Sequence, residues 1–146
     1  MHRVGRWVVV GLVGLAALQL SACARVSDEP TDSGQDPATV QPIKGTDLNV
    51  VRLTRQAANR LGIRTAVVQR AGGAREVIPY SAVLYDADGK TFAYTSPRPL
   101  AFVRAPIAVA DIKGSRAVLS AGPRVGTAVV TVGGPELYGT EFGVEE

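Results

Sequence analysis

From Arg75 onward, short β-prone runs are broken by turn signals so often that no long helix has room to form. Val77 to Tyr85 is β-prone, Asp86-Ala87-Asp88-Gly89-Lys90 reads as a hairpin turn, and Thr91 to Thr95 alternates as the returning strand. Pro97 to Pro99 reads as a connection, because proline lacks the ladder donor and restricts the residue before it. Phe102 to Val109 resumes strand character, with Pro106 marking an edge or a bulge. Ala117 to Ser120 and Thr127 to Val132 are two further strands, separated by Ala121-Gly122-Pro123-Arg124-Val125-Gly126. Strands at this spacing predict a mainly β chain folded as a small barrel or roll. One short helix precedes them. Leu48 to Leu53 is a strand, Thr54 a helix N-cap, Arg55 to Leu61 a helix with Ala57, Ala58 and Leu61 on one face, and Gly62 its C-terminal stop. Ile63 to Gln69 is the next strand and ends at a turn around Gly72-Gly73.

The start of the chain has a different character. Met1 to Arg6 is basic, and Trp7 to Leu18 is apolar throughout, too short for the roughly 18 to 20 residues that cross a hydrocarbon core. Leu20-Ser21-Ala22-Cys23 follows, containing the only cysteine of the chain. Residues 1–22 therefore read as a secretory signal. Leu20, Ser21 and Ala22 before Cys23 resemble the lipobox of bacterial lipoproteins, in which the cysteine thiol receives a diacylglycerol and becomes the new N-terminus. That resemblance implies lipidation of Cys23 and a membrane lipid as its partner, with the mature domain held on the extracytoplasmic face. Cleavage after Ala22 or Ala24 as an ordinary exported protein is the other reading, and an uncleaved anchor a third. Ala24 to Thr46 is rich in Ser, Thr, Asp, Pro, Gly and Gln without an aromatic residue, so residues 23–47 read as a lipidated cysteine and a flexible tether. Residues 48–146 are the folded domain.

This division reshapes the chemistry open to the chain. The net charge of +3 is carried largely by Arg3 and Arg6 in the leader; the 16 Lys and Arg less these two face 13 Asp and Glu. The mature part shows no basic run with interleaved aromatics, the usual footprint of nucleic-acid binding. His2, the only histidine, and Met1, the only methionine, leave with the signal. Metal and haem sites of the usual ligand types, and histidine-dependent nucleophilic catalysis, lose their side chains. No cofactor and no enzymatic activity are expected. Asp86 and Asp88 read as turn residues, since Lys90 and Thr91 stand where a calcium loop needs further oxygen ligands. Gly122 to Gly126 lacks the lysine and hydroxyl of a phosphate-binding loop. Glu141, Glu145 and Glu146 read as a solvated C-terminal tail. Tyr80, Tyr85, Phe92, Tyr94 and Phe102 fall mostly where strand faces are expected, and core packing is the default explanation for most of them. Tyr138 and Phe142 lie past the last clear strand, either packed on the domain or facing a partner.

Two separated stretches resemble one family. Leu53-Thr54, Ala57, Leu61-Gly62-Ile63 and Thr65 resemble the start of the β-barrel domain in periplasmic adaptor subunits, the membrane fusion proteins, of RND-type efflux pumps. Val77-Ile78-Pro79-Tyr80-Ser81-Ala82-Val83, the Asp-x-x-Gly-Lys turn, the Phe102 and Arg104 to Val109 strand, and Val118 to Gly134 resemble the strands that follow, in order and spacing. Pro123 and Thr127 depart from that family's usual Leu and Asp. The adaptors' helical hairpin and lipoyl domain have no counterpart, and no heptad pattern is present. The resemblance implies a membrane-proximal β domain that packs on an RND- or ABC-type transporter subunit. A carrier or sensor lipoprotein binding an apolar molecule in its barrel is the alternative.

Overall fold

The computed structural model describes residues 36–73 and 75–143. Leu20, Ser21, Ala22 and Cys23 lie outside the described residues. The chain is mainly β, with strands β1 (Ala38–Pro42), β2 (Asn49–Leu53), β3 (Arg64–Val67), β4 (Gln69–Arg70), β5 (Glu76–Pro79), β6 (Leu84–Tyr85), β7 (Thr91–Arg98), β8 (Ala101–Pro106), β9 (Ala108–Lys113), β10 (Arg116–Ala121) and β11 (Ala128–Val132). Helix α1 (Arg55–Arg60) follows β2, and helix α2 (Gly134–Phe142) follows β11.

The strands make two antiparallel sheets rather than one closed barrel. The larger runs β1-β2-β8-β7-β11-β3 with β6 added beside β7, and the smaller runs β4-β5-β10-β9. Two apolar clusters explain this arrangement. Val51, Leu53, Phe92, Tyr94, Phe102 and Val130 of the larger sheet meet Ala57 and Ala58 of α1 and Leu137 of α2. Ala93 and Val129 of the same sheet meet Ile78, Ala117 and Leu119 of the smaller one. Successive strand residues point to opposite faces, so Phe92 and Tyr94 look toward the helices while Ala93 looks toward the second sheet. The centre of the larger sheet is thus the middle layer, covered on both sides, while its edge strands β1 and β3 stay largely exposed. For that reason Phe92-Ala93-Tyr94 is buried at all three positions, not in alternation.

Several local expectations hold. Thr54 caps α1, its Oγ1 accepting from the Ala57 amide at 3.1 Å. Asp86 Oδ1 accepts from the amides of Asp88 and Lys90 at 3.0 and 2.8 Å, which closes the hairpin turn between β6 and β7.

Others are corrected. The stretch read as tether contains β1, which pairs in register with β2 from Ala38–Leu53 to Pro42–Asn49. Its side chains are exposed apart from half-buried Ala38, so backbone hydrogen bonds hold it and the residue pattern stays linker-like. Pro97 lies inside β7, which extends to Arg98, and the reversal falls instead at Pro99-Leu100. Tyr80–Ala82 forms a 3-10 turn that interrupts the run from Val77 to Tyr85. The described residues form two α-helices in place of one, and α2 takes in Glu141, which the sequence places in a solvated tail; Glu145 and Glu146 lie outside the described residues.

Gly133 sets the passage from β11 into α2. Its φ of 89° lies in the left-handed region, and a Cβ there would collide with the side chain of Ile63. Gly133→Ala is expected to lower unfolding stability by about 1–3 kcal/mol through backbone strain and displaced packing. Urea denaturation of the two forms measures it.

Candidate functional site

Helix α2 carries the side chains with the most unusual surroundings among the described residues. Gly133 precedes it, Pro135 stands in its first turn, and Glu136 complements the positive end of the helix dipole there. Its buried positions, Gly134, Leu137 and Glu141, fall at i, i+3 and i+7, a single helical face. Gly134 fits closely beside Leu84, Leu137 enters the core, and the third inward position is a carboxylate.

Glu141 is 7 % exposed and is the buried charged residue of the described chain. At the last turn of a helix a negative charge is locally unfavourable, so its position depends on partners from the sheet. Arg104 of β8 donates through Nε to Oε1 and Oε2 at 3.0 and 2.9 Å. Tyr94 of β7 donates its hydroxyl to Oε2 at 2.5 Å, and Asn49 of β2 donates Nδ2 to Oε1 at 3.2 Å. Tyr94 and Arg104 are cross-strand partners, which brings both donors to one spot. The carboxylate is neutralised and well supplied with donors, the condition under which a buried charge is tolerated. Burial pushes the Tyr94 hydroxyl far above the usual tyrosine range, and the hydrogen bond to Glu141 and its negative charge add to the effect. Tyr94 is therefore a proton donor to Glu141 and not a phenolate. The cluster ties three strands to a helix; it offers neither a free base nor an activated nucleophile.

An aromatic stack lies over this cluster. Phe92 meets Tyr94 edge-on at 5.7 Å between centroids and stacks on Tyr138 at 5.5 Å; Tyr138 in turn meets Phe142 at 4.7 Å. The Arg104 guanidinium sits 4.8 Å from the Phe142 ring centroid and 5.7 Å from that of Phe92. The two residues singled out in the sequence are thus brought together but differ in role. Tyr138 packs on the core, whereas Phe142 is 52 % exposed with a cation beneath it.

Glu141 was read as tail, and its partners as ordinary strand residues. A signal for the helix was present: Gly-Gly-Pro-Glu is a plausible start, with Leu137, Tyr138 and Glu141 at helical spacing behind it. Nothing local marks Glu141 as inward. The described residues hold no group of three His, Cys, Asp or Glu side chains placed to bind a metal ion. Comparison with protein-family models, curated proteins and solved structures finds no match to this chain.

Glu141→Ala leaves Arg104 without its counter-ion and is expected to cost about 3 kcal/mol in urea unfolding. A second measurement reads Tyr94 through pH. Because its folded pKa is raised above the ordinary 10.0, its contribution is complete below pH 10. Above that, the unfolded chain loses the proton that the native state keeps, so stability falls with rising pH, by up to about 1.4 kcal/mol per pH unit. Tyr94→Phe should remove that part of the alkaline slope while costing about 1–2 kcal/mol at neutral pH, where Glu141 loses a donor.

Proposed function

We propose that this chain is a non-enzymatic, lipid-anchored, adaptor-like domain that braces a membrane transport assembly from the extracytoplasmic side. Leu20-Ser21-Ala22-Cys23 behind a basic and apolar leader is the observation that carries the reading. Two acyl chains on one cysteine suffice for stable anchoring. With β1 beginning at Ala38, β structure reaches into residues 24–46, whose composition is linker-like. Resemblance of the strand segments to efflux adaptors supplies the kind of partner, an RND- or ABC-type transporter subunit.

The contact surface in this reading is the end of α2. An exposed aromatic ring over an arginine is the residue pair that interfaces favour at their centres. Phe142 is already held by Tyr138 and Arg104, so little side-chain freedom is lost when it is covered.

Two experiments test the parts separately. Growth with a fatty-acid probe should label the wild-type chain and leave Cys23→Ala unlabelled; equal labelling of both refutes the anchor. Mild cross-linking of membranes followed by purification should recover a transport permease, and Phe142→Ala should reduce that recovery several-fold. Recovery of the chain with a bound small apolar molecule and no membrane protein would sink the bracing role.

A further inference from the structure

The smaller sheet carries a feature that the bracing role does not use. On its outer face Val77 of β5 lies between Gln69 of β4 and Val118 of β10, each its direct cross-strand neighbour. Around this strip runs an open groove of about 430 Å³, within the size range of small-ligand sites. Arg70, Arg75, Lys113 and Arg116 line it, and no carboxylate does.

These four cations come from two hairpins. Arg70 and Arg75 bracket the turn from β4 to β5, closed by the Ala71 amide donating to the Arg75 carbonyl at 2.8 Å. Lys113 and Arg116 bracket the turn from β9 to β10. Because Arg75 precedes the start of β5 while Arg116 pairs with Pro79 at its end, the two pairs stand at opposite ends of the sheet, roughly 10–13 Å apart along the strand. Lys113 and Arg116 are themselves directly opposed across the ladder, an arrangement of like charges that destabilises a sheet. Lys113 has one ion pair, with exposed Asp111 at 3.5 Å. Arg70, Arg75 and Arg116 make none with a described carboxylate, although Glu76 faces Arg70 across the ladder. The fold therefore collects four cations around an apolar floor, against which stands one carboxylate on the same face, Asp111 beside Val118, paired with Lys113.

We infer that this groove binds a multiply charged, phosphate-bearing anion. Guanidinium forks match phosphate oxygens in pairs, and three arginines with one lysine supply donors at both ends of the groove. A ligand with more than one anionic group would relieve the repulsion at each hairpin. A nucleic-acid strand is less well served, because the lining contains no aromatic ring on which a base could stack. The same phosphate chemistry occurs in a soluble polyanion and in the headgroups of an anionic bilayer. The inference stands apart from the anchor at Cys23 and from the α2 surface.

The test uses the full chain, the double variant Arg75→Gln/Arg116→Gln, and a control, Arg55→Gln/Arg98→Gln, with the same charge loss at exposed positions off the groove. Equal thermal midpoints establish that each is folded. Calorimetric titration with tripolyphosphate should show binding that the groove variant weakens at least tenfold and the control by less than twofold. Vesicles of phosphatidylcholine with and without phosphatidylglycerol form the second arm; any acyl anchor contributes equally to both, so their difference reads the protein's cations, and the control variant separates the groove from the rest of the surface. A phosphatidylglycerol preference lost in the groove variant assigns the anion to a lipid headgroup, and tripolyphosphate binding without that preference assigns it to a soluble ligand. Failure of both probes to bind, or equal losses in the groove variant and the control, overturns the inference.

Discussion

Burial of the central strands of one sheet on both faces is the constraint on which the rest of this domain depends. Phe92, Ala93 and Tyr94 occupy successive positions of β7 and are all inaccessible, so the strand needs cover above and below. The helices supply it on one side and the four-stranded sheet on the other. The sizes of the side chains follow from this. Large rings fill the space between sheet and helices, while Ala93 and Ala117 allow the two sheets to approach.

Covering the helical side creates a polar problem, because Tyr94 points its hydroxyl into that layer. Glu141 is the answer: it accepts from Tyr94, from Asn49 and from Arg104. A buried ion pair of this kind is a weak net stabiliser, since desolvation offsets much of the attraction. Its consequence is positional, because only one placement of α2 satisfies all three donors. That placement holds Tyr138 against Phe92 and leaves Phe142 at the surface over Arg104. The aromatic surface proposed to meet a partner is therefore a by-product of settling one carboxylate in the core.

The outer face of the smaller sheet has the opposite economy. There, four cations are gathered with a single ion pair among them, Lys113 to Asp111, and the two hairpin turns that close the sheet also set the spacing of the cations. Along the chain these residues are scattered between positions 70 and 116 and form no basic run. Cross-strand pairing alone makes them neighbours.

The strand-and-turn rhythm, the Thr54 cap and the Asp86 to Lys90 turn were legible in the sequence, because each depends on residues a few positions apart. The pattern at Leu20 to Cys23 is local too, but it lies outside the described residues. Strand β1 is not legible in the sequence, because backbone pairing with β2 leaves no trace in side chains that face solvent. The burial of Glu141 is hidden for a related reason: the arginine that neutralises it and the tyrosine and asparagine that donate to it arrive from distant strands. By itself, then, the sequence determined the class of fold, most strand positions and the loss of imidazole and thiol chemistry from residues 24–146. The tertiary structure alone decided the two-sheet layering, the inward turn of Glu141 and the convergence of four cations on one groove, since each arises from residues that only long-range strand pairing and packing bring within reach.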